Sequence, residues 1–443
     1  MSVLIEKESI AKEFFQVTIP AFISALGMGL FFLVDSVFIG VCLSDDGLAA
    51  VGVAWNLVIF LTALAQGIGM AGSIRYSIAL GKGQNQEAKK YLTITLVILG
   101  VLCVLLSIVY VLYSTDILIF LGAKGIVLSL AQEYIDLIAK GVFIQVTAIS
   151  LLPIVRNIGG HKVAGIAMTC GYLLNIFLDY LLMIVYKMGM KGCSIAFLCG
   201  QLTMMIPCVV YLIMNKSRVL CKINDTKENL KEIIQEVFIS AISPSGLMFS
   251  ANIVLAFISY CFLTYGNSQS LATFIVIMSS FSLSTDSHRG ITDGCQPLLS
   301  RYYGEGNISK TQDLAKMMYI ISLAWVGLVC VFLLLFKTNI ADLYQVSQVV
   351  ADDITRLLPY CIICYLFISF SRTTITYMYA ISRNLFSGLL TYGYALVAII
   401  TLLILPVIFG VDGIWMAINC TYVIMGCFAG YLLTVNKKIN KVD

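Results

Sequence analysis

The sequence predicts an all-α polytopic membrane protein, with about twelve transmembrane helices in two pseudo-symmetric six-helix lobes related by a parallel repeat. Three observations predict it. The 443 residues are 60% hydrophobic and only 12% charged, half the ~25% charge of a soluble domain, and the mean hydropathy is +0.95. Apolar runs long enough to cross a hydrocarbon core of ~30 Å recur along the whole chain. Glycine-rich landmarks of the first half return in the second at one fixed offset. The short alternating segments of a transmembrane barrel are missing.

The apolar runs fall at about 15–42, 47–80, 91–114, 130–153, 162–186, 192–214, 235–264, 268–302, 314–336, 354–380, 385–409 and 412–435. The first is too long for a signal-peptide core and no small-residue cleavage site follows it, so it reads as a retained span. Lys82, Lys89, Arg156, Lys216, Lys231, Arg301, Arg383 and Lys437 fall on the side of the two termini; Lys124, Lys187, Lys191, Lys337 and Arg356 fall on the other. The basic excess predicts cytoplasmic termini and a multi-pass place in the cell (inner) membrane. The longest polar connection, 215–233, reads as a cytoplasmic linker between an N-terminal lobe, 1–214, and a C-terminal lobe, 234–443.

The repeat pairs GIGMAGSIRYSIALGKGQN, from Gly67, with GITDGCQPLLSRYYGEGN, from Gly290, at an offset of 290 − 67 = 223. Without gaps, Gly67 meets Gly290, Ser77 meets Ser300, Gly81 meets Gly304 and Gly165 meets Gly388. Pro20 and Pro244 hold equivalent places in the first span of each half. Six spans per half keep both copies in the same orientation, an arrangement of transporters whose pathway runs between the halves.

Chemistry breaks the repeat. Helix 1 carries Asp35 in FFLVDSVFIG and helix 5 carries Asp179 in NIFLDYLL, whereas the 223 offset places Ile258 and Leu402 opposite them. A charge at mid-membrane costs about 2.5–3.5 kcal/mol, so two acids need a reason. Asn175 and Asp179 are spaced i, i+4 and share a helix face. If Asp35 faces that stripe, three oxygen-bearing groups converge. Two carboxylates in one dry site cannot both stay ionised cheaply: one takes a proton, or a hard cation binds. Asp35, Asn175 and Asp179 are therefore the candidate cation-coupling residues, for H+ or for Na+ held among the three.

Helix 8 carries STDSHRGITDG, in which Asp286, Arg289 and Asp293 form one self-neutralising stripe at i, i+3 and i, i+4. Arg372 of helix 10 also wants an acid, and His288 lies off the stripe. Two readings stay open for these five: substrate contact, or an internal ion-pair network. Met28, Met70, Met248 and Met278 are candidates for an adaptable pocket lining, and some of Tyr260, Tyr265, Tyr377, Tyr379, Tyr392 and Tyr394 could join them, although packing and interface belts explain most of these side chains.

Other classes find no support. The 14 cysteines lie mostly in apolar runs as small hydrophobes, and Cys361 and Cys364 read as filler rather than a redox pair. No metal-ligand cluster, P-loop or nucleophile–base arrangement is legible, which argues against an enzyme. Basic tracts with interleaved aromatics are missing, which argues against nucleic acid. The expected partners are a small-molecule substrate and the bilayer, with the protein a monomer. No cofactor is expected beyond the coupling ion.

In chain order the landmarks are Pro20 with VDSVFIG, LAAVGVA, GKGQNQEAKK, NIGGHKVAG, NIFLDYLL, GMKGCSIA and DGCQPLLSRYYGEGN. In this order and spacing the chain resembles the multidrug and toxic compound extrusion (MATE) family of bacterial cation-coupled efflux antiporters. The resemblance implies a V of two six-helix lobes with alternating access. It also implies export of organic, cationic or amphipathic molecules in exchange for H+ or Na+. The family's helix 1 acid and helix 5 Asn/Asp pair, its cation site, map to Asp35, Asn175 and Asp179. Phe197 stands where members often carry a Thr, which weighs toward H+. Helix 7 has no interior acid and helix 10 has Arg372, against a second-lobe sodium site. The alternative is a flippase for a lipid-linked saccharide within the wider superfamily. It needs a cationic cavity, which Arg289 and Arg372 leave open.

Overall fold

The computed structural model describes residues 2–222, 229–344 and 347–439. Among these there are helices only. Helix α1 (Ser2–Gly81) contains two spans, Ile10–Phe31 and Asp46–Gly81. The reversal between them is visible at Gly40, where a Cβ would lie 3.5 Å from Leu48 Cδ1. Eight residues of straight helix would hold those positions ~12 Å apart. Helix α2 (Asn85–Phe120) is one span. The next span is broken: α3 (Gly125–Lys140) and α4 (Val142–Asn157) meet at 67° around Gly141. Helix α5 (His161–Asp179) runs into a π-helical segment, Tyr180–Val185, and α6 (Gly189–Met214) completes the first lobe.

The second lobe repeats this with α8 (Leu230–Tyr265), α9 (Ser268–Gly304), α10 (Ile308–Leu335), α12 (Gln348–Ala380) and α13 (Asn384–Ile439). Short helices α7 (Lys216–Val219) and α11 (Lys337–Tyr344) lie between spans. Two spans share α13 across Gly410, whose φ of 58° and ψ of −134° break the helix in a conformation suited to glycine. Counting α1 and α13 as two spans each, α3 with α4 as one, and α9 as a span although its charged stripe leaves it less apolar than the others, gives twelve in a V of two lobes. The predicted linker is shorter than 215–233. Lys216–Val219 is helical and α8 already begins at Leu230, while 223–228 lie outside the described residues.

Helix α8 starts early because its first turns are buried. Ile233, Val237 and Ala241 complete the hydrophobic core of the first lobe. At the 223 offset, Ile10 and Phe14 of α1 do the converse and enter the core of the second. The acids beside them are equivalent too. Tyr302 donates to Glu13, and Tyr91 donates to Glu236, each bond crossing between lobes. Arg75 pairs with Glu236 at 3.4 Å.

The lobes touch about the same pseudo-twofold axis. The first span of α1 lies along α9, so that a Cβ at Gly290 would be 2.7 Å from Ala25 Cβ. Equivalently, a Cβ at Gly67 would be 2.9 Å from the Ser245 backbone nitrogen of α8. At the end bearing the termini, a Cβ at Gly81 would strike the Arg301 carbonyl, and one at Gly304 would strike the Ile78 carbonyl. Residues 78 and 301 are themselves 223 apart, so one contact is made twice. Ser77 donates to Asn157 Oδ1 at 2.6 Å, Asn157 Nδ2 donates to Gln296 Oε1 at 3.0 Å, and Gln296 Nε2 donates to Ser300 Oγ at 2.8 Å, closing this seam with polar groups.

The backbones here leave no room for a methyl group. Gly81→Ala and Gly304→Ala should each destabilise the folded protein by about 1–3 kcal/mol, as overpacking does. Gly327→Ala on α10, where a Cβ meets open space, should leave stability unchanged or raised. Thermal melts in detergent check the contrast; equal midpoints for all three would count against the close contact.

Candidate functional site

Two sites stand out, a closed acid pocket inside the first lobe and a cavity between the lobes. The acid pocket forms where α1, α5 and α6 converge. Helices α5 and α6 approach closely: a Cβ at Gly200 would be 2.9 Å from Gly171 O and 3.1 Å from Asn175 Cβ. That contact turns Asn175, and with it Asp179 one turn later, into the lobe. Asp179 is fully buried, Asn175 is 4% exposed and Asp35 is 9% exposed. One carboxylate oxygen from each of Asp35 and Asp179 lies within 4.8 Å of the other, so Asp35 does face the stripe of Asn175 and Asp179.

The pocket is under-satisfied. With both acids ionised, both carboxylate oxygens of Asp179 and Oδ1 of Asn175 are buried with no hydrogen-bond partner, and a proton on either acid would let Asp35 and Asp179 bond each other. Such acceptors cost free energy unless a proton or cation occupies them. Sequence reasoning missed one member. Cys193 of α6 donates its thiol to Asp35 Oδ1 at 3.5 Å, and its Sγ lies within 4.8 Å of both acids. Ser194 beside it bonds Tyr134 O of α3 at 3.0 Å, which fixes that turn of α6. The signal was available: Cys193 precedes Phe197 by four residues and shares its face. Phe197 itself is buried and packs edge-on against Trp55, with ring centroids 6.1 Å apart. The π segment begins right after Asp179, and its Met183 carbonyl accepts from the Cys42 thiol at 3.5 Å. A π turn inside a helix often marks such a place.

The cavity has a volume of about 280 Å3 and is lined from both lobes, by Met28, Trp55, Gln66, Met70, Met248, Asp286, His288, Arg289, Asp293, Arg372 and Tyr379 among others. It contains none of Asp35, Asn175 and Asp179. A smaller cavity of about 60 Å3 continues it to Arg156 and Tyr172. All five charged or titratable candidates of the second lobe thus line one space. Met28, Met70, Met248 and Tyr379 line it as well, whereas Met278 packs against the second-lobe core.

Within that space the stripe on α9 is only partly self-neutralised. Arg289 Nε is 3.8 Å from Asp293 Oδ2, and Tyr379 donates to Asp293 Oδ1 at 3.2 Å. Among the described residues, neither Asp286 nor Arg372 has a hydrogen bond or close ion pair, and both border the cavity. His288 is structural in its bonding. Thr373 gives its hydroxyl proton to Ser369 O at 3.0 Å, so its oxygen accepts from His288 Nε2 at 2.9 Å.

The two sites are mechanically joined. Met28, Phe31 and Asp35 succeed one another along the first arm of α1, before Gly40, and Tyr172, Asn175 and Asp179 along α5. The Phe31 and Tyr172 rings stack at 5.6 Å. Arg289 Nη2 reaches Met28 Sδ at 3.6 Å.

Comparison with known proteins gives one consistent picture. The MatE family model matches twice, over residues 20–181 and 244–411, its two segments starting at the equivalent prolines Pro20 and Pro244. The multidrug export protein MepA of Staphylococcus aureus (strain MRSA252) is 22% identical over 80% of this chain and 78% of its own. A probable multidrug resistance protein NorM of Thermotoga maritima is 24% identical over 76% and 73%. An outward-facing multidrug resistance MATE family transporter superposes with a TM-score of 0.87 at 22% identity, covering 97% of each chain. A transporter from Pyrococcus furiosus, described as having a binding pocket of reversed polarity, gives 0.86 at 22% identity over 95% and 94%.

The second lobe folds the same way with Leu402 where the first has Asp179, so the acid is no part of the frame. Asp179→Asn, which relieves the buried acid pair at nearly constant volume, should raise the thermal midpoint in detergent. A lowered midpoint would mean that the carboxylate is a structural tie instead.

Proposed function

We infer, on the premise that the chain belongs to the MatE family, that it is a secondary active transporter exporting organic small molecules, cationic or amphipathic, in exchange for H+ or Na+. The observation that carries this reading is the buried, under-satisfied acid pair Asp35/Asp179 placed beside the inter-lobe cavity without opening into it. One way to couple exchange is to set the cation and the cargo in two places that share a moving part. The arm of α1 before Gly40 is that part, since it carries Asp35 to one site and Met28 to the other.

A ligand shifts a conformational equilibrium only by its differential affinity for the two states. In this reading the cation is that ligand. A proton or Na+ entering among Asp35, Asn175 and Asp179 draws α1 and α5 together, and the Phe31–Tyr172 stack transmits the shift to the cavity wall. The basic residues at the end bearing the termini fit a cytoplasmic placement of that end. The seam of Gly81 and Gly304 then closes the cytoplasmic side.

The cavity fits an amphipathic cargo. Methionine and aromatic side chains supply an adaptable apolar lining, and Asp286, without a close partner, suits a cationic group. The flippase alternative gains nothing here. Its diphosphate would want a surplus of positive charge, whereas the wall of the larger cavity carries two arginines, Arg289 and Arg372, and two aspartates, Asp286 and Asp293, of which only Arg289 and Asp293 are close.

Asp35→Asn, reconstituted in proteoliposomes, should abolish dye efflux driven by a proton or sodium gradient while leaving dye binding measurable. Undiminished gradient-driven efflux would refute the coupling role. Asp286→Asn should weaken binding of a cationic dye by about tenfold, the loss of one ~1.4 kcal/mol contact, with neutral dyes changed less. Equal losses for both classes would remove Asp286 from cation selection. Running each gradient alone identifies the coupling ion.

A further inference from the structure

The thiol in the acid pocket is chemically out of keeping with a site for Na+ or H+ alone. Hard cations take oxygen ligands, whereas a cysteine sulfur selects softer ions such as Zn2+. Asp35, Asp179 and Cys193 form the one group of three potential ligand side chains found among the described residues, and all three are buried. Their ligand atoms lie within 4.8 Å of one another. An ion equidistant from atoms at that spacing sits no more than about 2.8 Å from each, and small side-chain rotations close this to the ~2.0–2.3 Å of zinc ligation. The pocket also holds spare acceptors aimed at this space. Asp179, with no exposure, leaves both oxygens unpartnered, and Asn175, 4% exposed and one turn away, leaves Oδ1 unpartnered.

We propose that Cys193 makes this pocket a binding site for a thiophilic divalent ion, Zn2+ or Cd2+, held by Asp35, Asp179 and Cys193. The thiol proton is released to water as the sulfur takes the metal. Asn175 Oδ1 is the nearest further donor on the same face of α5. The apolar contact of Phe197 with Trp55 lies one turn beyond the sulfur on α6 and screens that side. Because the two carboxylates are the ones assigned to the coupling cation, the bound metal competes with that cation and arrests transport. The arrest rests on the coupling role of Asp35 and Asp179; the metal binding does not.

The test is Cd2+ binding by equilibrium dialysis of the purified full-length chain in detergent. The exposed thiols are first removed as Cys170→Ala, Cys420→Ala and Cys427→Ala. This parent should bind one tight equivalent. Cys193→Ser, close in volume, and Asp179→Asn should each weaken it by at least about tenfold with unchanged elution and a melting midpoint no lower than the parent's. Cys103→Ala, a buried cysteine of α2, should retain it. Retention of parental affinity in Cys193→Ser, or no tight equivalent in the parent, overturns the proposal. The two readings fail separately. A Cys193-dependent Cd2+ site together with full gradient-driven efflux in Asp35→Asn sinks coupling and keeps the metal site. Lost efflux in Asp35→Asn with no Cd2+ binding in the parent does the reverse.

Discussion

Where Gly81 and Gly304 meet, the lobes approach backbone to backbone, with no side chain between them. Lipid tails are as apolar as leucine, so helices in a bilayer gain little from hiding hydrophobic surface and hold together by close packing. Glycine permits the closest packing, and this chain places it at Gly81, Gly304, Gly67 and Gly290, each against the other lobe. The contacts come in pairs related by the internal repeat, so two strained or loose seams are avoided by making one good seam twice. With the lobes fixed at this end, the space beyond must open, and there the cavity lies. Its charged wall on α9 faces the partner lobe and not lipid, which is how a span with Asp286, Arg289 and Asp293 is tolerated in a membrane protein.

Upon that symmetric frame the chemistry is asymmetric. The two carboxylates of the first lobe have Ile258 and Leu402 as counterparts, while the second lobe keeps its charges at the cavity wall. A symmetric pair of cation sites would bind on both sides of the pathway. In the proposed reading, one site in one lobe lets a cation act on α1 and α5 alone, beside a cavity wall that the other lobe supplies. The costs are confined as well: the unpartnered oxygens of Asp179 and Asn175 are held by the Gly171–Gly200 contact, which has its own close packing to offset them.

Much of this was legible in the residues. Hydropathy located the spans, because hydrocarbon imposes a length that sequence alone must meet. The i, i+4 spacing of Asn175 and Asp179 placed them on one face, since helix geometry is local. The Gly81 and Gly304 equivalence was readable as a pattern, but not that the two residues meet, because an offset says nothing of the distance between copies. Cys193 was passed over as one of 14 apolar cysteines. Only the convergence of α1 and α6 distinguishes its thiol from those that merely fill space. For the α9 stripe the alternatives are substrate contact or an internal ion-pair network: Arg289 pairs with Asp293, while Asp286 and Arg372 have no close partner. Charge spacing on one helix could not decide that, since the outcome turns on which groups the other helices bring. The linker was drawn too long because Ile233 and Val237 sit among charges in sequence, and their burial depends on a core built from the other lobe.

That last exchange bears on the order in which the protein is made. Ile10 and Phe14 wait for a core that does not exist until the second half is synthesised, and the first half lacks Ile233, Val237 and Ala241 until its seventh span emerges. Six spans inserted by the translocon are therefore not a finished unit. In assembly the two halves behave as a swapped dimer tethered head to tail, each borrowing an arm from its twin. A chain halted after residue 214 would leave the nursery with an open face.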